Sequence, residues 1–235
     1  MAASPEAPTF RMLARRYATL TGYHAVAHPS LPNYVALVSG STQGLTSDCT
    51  GCVVHARSLA DTLAAAGRTW KTYAEGLPYA GFTGASSGRY VKKHAPFLSF
   101  AGVDPRRVVP FTELARDVAA RRLPDFALVI PDLCHDMHDC SVGTGDRWLR
   151  EHVVPLLAST ALAGGVVFVV FDEGTSDEGG GGNVEALALG PTVRPGSVDS
   201  APTSHYGLLR TIEDAWGLPR LGRSRSAAPI AGIWR

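Results

Sequence analysis

The chain has 235 residues, enough for one sizeable core and too few for two full domains. Hydrophobic residues make up 45% and charged residues 18%, which excludes a disordered or collagen-like chain. A net charge of +1 argues against nucleic acid as a partner, no apolar run approaches the ~20 residues that span a bilayer, and the opening Met1–Pro8 lacks the pattern of a signal peptide.

In chain order, Phe10, Leu13, Ala14 and Tyr17 form one apolar stripe and predict a helix over 8–20. A short helix follows at 32–39, opened by Pro32 and closed by Gly40. Ser58–Ala66 reads as a third helix and 69–74 as a strand. Residues 76–110 are rich in Gly, Pro and Ser and read as a long functional loop with short helical pieces. Thr112 is expected to cap a helix running to about Arg122. Phe126–Ile130 and Val166–Phe171 are apolar runs of strand length without polar alternation, as in strands buried on both faces. Between them 145–159 reads as a helix, and after them 185–189 as a strand and 205–216 as a helix capped by Ser204. The tail from Arg220 is expected to be loosely ordered, and Gly179–Gly182 to be a flexible hinge or loop tip. Strands alternating with helices predict an α/β fold, a mainly parallel sheet sandwiched between helices.

In such folds ligands bind beyond the carboxyl ends of the strands. After Ile130 come Asp132, His135, Asp136, His138 and Asp139; after Phe171 come Asp172 and Glu173. Carboxylates crowded at one sheet edge repel, and a divalent cation (Zn, Mn, Mg or Ca) is the expected remedy. In His28-Pro-Ser-Leu-Pro-Asn-Tyr34 the prolines place Ser30 at a helix N-terminus, where free N–H groups favour an anion. Asn33 can offer its side-chain N–H to a negative oxygen. His205 opens the last helix, while Lys92, Lys93 and His94 can meet a phosphate from the long loop or form a solvated turn. Cys49, Cys52, Cys134 and Cys140 fit two disulfides ahead of a four-cysteine zinc site or free thiols. Disulfides imply an oxidising compartment, at odds with the missing export signal.

Together these segments resemble the bacterial phosphoesterase family that includes acid phosphatases and phospholipases C, with an alkaline phosphatase-like fold. The resemblance runs through Ser39-Gly40-Ser41-Thr42, Lys93-His-Ala-Pro-Phe97, Asp136-Met-His-Asp-Cys140, Gly145-Asp-Arg-Trp-Leu149, Phe171-Asp-Glu173 and His205–Asp214. It implies that residues 1–235 form one domain and that a phosphate ester or phospholipid head group is the substrate. It implies Ser30 as a nucleophile that becomes phosphorylated, and Asn33, Lys93 and His94 as substrate-binding residues. By the same resemblance Asp172, Glu173, Asp136 and Ser30 hold a divalent metal ion, and His94, His138 or His205 protonates the leaving group; Asp132 is a weaker match. One departure stands out: family members begin with a hydrophobic strand ending in an acidic-Asn motif, and this chain begins after it. A truncated start is therefore expected, with a secreted or cell-envelope parent. The alternatives are a phosphodiesterase on the same site and a catalytically silent fragment. A Ser/His/Asp acyl hydrolase fits worse, because Val38-Ser39-Gly40-Ser41 lacks the first glycine of a nucleophile elbow.

Overall fold

The structure is a computed structural model that describes residues 4–235. Helix α1 (Pro8–Arg16) opens on a proline, whose missing N–H costs nothing in a first turn. Its N-terminus is capped from far along the chain: the Asp146 carboxylate accepts the Thr9 and Phe10 N–H groups at 3.1 and 2.8 Å. The helix ends before Tyr17, short of the expected residue 20, and the chain turns into strand β1 (Ala18–Leu20). Strand β2 (Tyr23–His24) leads to α2 (Ser30–Ser39), which starts before the expected Pro32 and stops at Gly40 in a left-handed conformation, φ 71°. Helix α3 (Leu59–Ala65) carries a reciprocal cap between Ser58 and Asp61.

Strand β3 (Trp70–Ala74) is followed by the long loop, which contains a hairpin of β4 (Ser86–Ser87) and β5 (Tyr90–Val91), 3-10 turns and strand β6 (Val108–Pro110). Helix α4 (Thr112–Ala119) lacks the cap expected from Thr112; Phe111 holds the cap position and offers no side-chain bond. After β7 (Phe126–Ile130), the expected helix at 145–159 is two pieces, α5 (Val142–Trp148) and α6 (Val154–Leu157), joined by a π turn at Leu149–Val153. Pro155 lacks the N–H that would continue the ladder, so the turn widens just upstream. Strands β8 (Val167–Val170), β9 (Ala186–Leu189), β10 (Val198–Asp199) and β11 (Thr203–Ser204) precede α7 (His205–Trp216). The Ser204 hydroxyl caps α7 by accepting the Tyr206 N–H.

The strands form a parallel sheet, β6-β3-β7, and a mixed sheet, β10-β1-β9-β8, in which β9 runs against both neighbours. The same helices cover both sheets. On one face α2 sets Tyr34 against the cluster of Ala74 and Ile130, and Leu37 against that of Phe168 and Val170. On the other face Leu149, Val153 and Leu157 pack on Val167 and Val169, while Trp148 meets the Phe111 ring. β7 and β8 are each the outer strand of their sheet, and they are not hydrogen-bonded to one another. All four residues of β8 are only partly buried, although the run is wholly apolar.

The C-terminal tail is not loosely ordered. Ile230 and Ile233 are buried in the core beside β1 and β9, and Ser224 is fully buried. The anchor is Glu213 on α7, 0% exposed, which accepts the Leu221 N–H at 2.8 Å and the Ser224 hydroxyl at 2.5 Å. Burial pushes its carboxyl pKa up, outweighing these two hydrogen bonds. The folded state thus holds a proton to higher pH than the unfolded state does. Its contribution to stability is full below the ordinary glutamate range near 4.5 and is lost as pH rises through the raised value. Urea unfolding at stepped pH should show Glu213→Gln removing this downward slope; an unchanged slope would contradict the assignment.

Candidate active site

Ser30 is the first residue of α2 and is 4% exposed. Its hydroxyl donates to Glu173 Oε1 at 2.9 Å. The other Glu173 oxygen is held by His28 Nδ1, and His28 Nε2 lies 3.0 Å from the Ser176 carbonyl. Hydrogen bonds to Ser176 and Glu173 raise the His28 pKa, so the imidazolium form is favoured beside the carboxylate. Asp172 adjoins the same hydroxyl; burial raises its carboxyl pKa, against the lowering pull of Ser30 and His94.

The segment before Ser30 is gripped from two sides. Asn33, fully buried, accepts the Val26 and Ala27 N–H groups on Oδ1, and its Nδ2 donates to the Ala27 and Pro29 carbonyls. Both ends of the amide are thus spent on the main chain, which corrects the expectation that Asn33 offers its N–H to a phosphoryl oxygen. On the other side lies Gly179–Gly182, expected to be flexible. A methyl group on Gly181 would sit 2.4 Å from the Ala27 carbonyl oxygen, and one on Gly180 2.6 Å from that of Val26. The glycines are there because two backbones touch.

His94 is 3% exposed and stacks on Tyr34 at 5.0 Å between ring centroids. Its Nδ1 lies 3.2 Å from Asp136 Oδ2. Among the described residues the buried His94 Nε2 has no hydrogen-bond partner, and the buried Asp136 Oδ2 has only its ion-pair contact with His94 Nδ1. Burial raises the Tyr34 hydroxyl pKa, with further push from Asp172, Asp136, Glu173 and Asp48. Asp172, Asp136, Glu173 and Asp48 thus all act electrostatically on the Tyr34 hydroxyl. The unpartnered His94 Nε2 and the neighbouring carboxylates are of the imidazole and hard-oxygen types that divalent ions take.

Lys93 donates to Asp48 Oδ2 at 2.7 Å, and Asp48 Oδ1 accepts the Leu31 N–H at 2.9 Å. Burial pushes the Asp48 carboxyl up, but these partners together bring it below its ordinary range. His138 is half exposed, 2.7 Å from Asp139 on Nδ1, with its ring 6.5 Å from that of His94. His205 is buried with both nitrogens engaged, Nδ1 to the Tyr23 hydroxyl at 3.0 Å and Nε2 to the Asp172 carbonyl at 2.7 Å. Burial lowers its pKa to about 4, against the raising effect of the Asp172 bond. It has no nitrogen free to protonate a leaving group.

Asp132 lies in a separate cluster. Its donor oxygen, one from Glu75 and a nitrogen of His135 fall within 4.8 Å of one another at the ends of β3 and β7. The cluster is closed by its own bond from His135 Nδ1 to Glu75 at 2.9 Å. Disulfides Cys49–Cys52 and Cys134–Cys140 flank the site, the first just after Asp48 and the second bracketing Asp136 and His138. Sequence reasoning missed His28, Asp48 and Glu75. Glu75 is the residue next after the strand at 69–74, so extending the strand-end criterion to that strand finds it. His28 and Asp48 carry no signal beyond proximity to Ser30 and Cys49.

The profile of the Phosphoesterase family matches residues 3–219. A phosphatidylinositol-3-phosphatase from Mycobacterium tuberculosis is 36% identical over 232 residues, 97% of this chain and 76% of that protein. An acid phosphatase from Aspergillus fumigatus is 32% identical over 241 residues, 95% of this chain and 54% of that one. The chain thus spans about half the length of the fungal enzyme. A solved structure of an alkaline phosphatase superfamily protein from Vibrio parahaemolyticus shares the fold at a TM-score of 0.64 and 15% identity, covering 97% of this chain and 65% of that one. Among the described residues, no helix is long and apolar enough to cross a membrane.

The grip on the serine segment predicts that Gly181→Ala, which displaces Ala27, lowers kcat on p-nitrophenyl phosphate by ~100-fold with little change in KM. Steady-state kinetics check this, and a wild-type kcat in the folded variant would contradict it.

Proposed function

We propose, from the premise that the chain belongs to the Phosphoesterase family, that it hydrolyses phosphoric monoesters through a phosphoserine on Ser30. The observation that carries this reading is the 2.9 Å bond from the Ser30 hydroxyl to Glu173 at the N-terminal turn of α2. In the first step the Ser30 oxygen forms a bond to phosphorus and the P–O bond to the alcohol breaks. The Ser30 proton passes to Glu173, and the half-exposed His138 protonates the departing alkoxide. Water then attacks the phosphoserine, giving its proton to His138, while the bond from phosphorus to the Ser30 oxygen breaks and that oxygen recovers its proton from Glu173, releasing inorganic phosphate. Lys93, released from Asp48, and His94 would bind the phosphoryl oxygens. Asp172, Glu173, Asp136 and the Ser30 oxygen would hold a divalent metal ion. Such an ion, when bound, lowers the pKa of the serine hydroxyl and neutralises charge on the phosphoryl group.

Ser30→Ala should lower turnover of p-nitrophenyl phosphate by ~1,000-fold or more while circular dichroism stays that of the wild type. EDTA should abolish wild-type activity, and added divalent cation should restore it. Full turnover in the variant would remove Ser30 from the mechanism. A diester rate on bis-p-nitrophenyl phosphate exceeding the monoester rate would move the substrate class to phosphodiesters.

The unpaired outer edges of β7 and β8 support a second point, that a further strand pairs there in the fully active protein. A gene extended upstream in the same reading frame should then yield a protein at least about tenfold more active and more stable to urea. Equal activity and stability would contradict this.

A further inference from the structure

The last helix places one buried imidazole where it meets the acidic pair from behind. Strand β11 pairs in parallel with β2, Thr203 opposite Tyr23 and Ser204 opposite His24, so Tyr23 and the first residue of α7 are brought together. Tyr23 is 0% exposed and His205 1%. The rings meet edge-on, 5.5 Å between centroids. The Asp172 carbonyl, 2.7 Å from Nε2, can only accept, so Nε2 carries the proton. Nδ1 is then the acceptor for the Tyr23 hydroxyl at 3.0 Å. The chain of donors runs in one direction, from Tyr23 through His205 to the main chain of Asp172.

The carbonyl at its end belongs to the peptide that links Asp172 to Glu173. Fixing that peptide plane restricts the backbone torsions on either side of it, and with them the directions in which the two side chains leave the backbone. Neither imidazole nitrogen is left to touch a substrate. We infer that His205, locked in one tautomer by Tyr23, is a positioning residue that aims the Asp172–Glu173 pair at Ser30, and is not the proton donor to the leaving group. The inference rests on the reading of Ser30 and Glu173 given above.

The test compares wild type with His205→Ala, His205→Gln and Tyr23→Phe on two monoesters, p-nitrophenyl phosphate with a good leaving group and phenyl phosphate with a poorer one. The chain of 235 residues is used throughout, and unfolding midpoints are recorded for every variant. A positioning residue should act equally on both esters. His205→Ala should lower kcat ~100-fold on each, with KM nearly unchanged. Glutamine can present an N–H near the Nε2 position, and His205→Gln should recover to within about tenfold of wild type. Tyr23→Phe should lose less than alanine at 205, again equally on both esters. A loss several-fold greater on phenyl phosphate would make His205 a proton donor and overturn the inference. So would a folded His205→Gln no better than alanine, or a wild-type kcat in His205→Ala. Should the alanine variant fail to fold, His205→Gln and Tyr23→Phe decide by the same ratio of rates. Ser30→Ala run in parallel separates the two levels, because its turnover overturns the reading of the site whatever the variants at 205 do.

Discussion

A hydrogen bond between residues 143 positions apart, from the Ser30 hydroxyl to Glu173, ties together the parts of the chain that make the site. One end is the first turn of α2 and the other is the loop after β8, so the bond depends on how α2 lies across the sheets. Everything adjacent serves that placement. Asn33 and the glycine loop hold the main chain ahead of the serine, His28 holds the far oxygen of Glu173, and His205 holds the peptide behind it. The interactions are short-range and polar, in a site where few groups are fully solvated, so each is stronger than it would be in water.

The site's outline was legible because it follows from burial. The runs at 126–130 and 166–171 contain no polar residue, which marks them as strands whose following acidic residues fall at the sheet edge, although both are less buried than such runs predict. The chain at 28–34 was legible for a different reason: two prolines leave the backbone little choice before a helix. What could not be read depends on tertiary contact. Asn33 looked like an oxyanion donor because its type and position suit that work; only the structure shows that its amide is saturated by backbone groups. Gly179–Gly182 has the composition of a hinge and also of a close backbone crossing, and sequence alone does not separate the two. Strand β1 was hidden because the apolar stripe of α1 continues through Tyr17. The tail looked loose because its arginines and small residues obscure Ile230 and Ile233, which are buried.

Both disulfides lie where the site would otherwise depend on loops. Cys134–Cys140 closes the short loop that carries Asp136 and His138, and Cys49–Cys52 closes the turn after Asp48. Loops of this kind tend to open locally at low cost, and a covalent tie limits how far their carboxylates can drift. The sheets do the opposite at β7 and β8, where apolar strands end in unpaired edges.

The most direct measurement is acid quench of the protein during turnover of a phosphate ester, followed by peptide mapping. The account predicts phosphate on the peptide that contains Ser30, absent in Ser30→Ala and strongly diminished in Glu173→Gln. Phosphate on another residue, or rapid turnover with no phosphorylated peptide and no effect of Glu173→Gln, would contradict it.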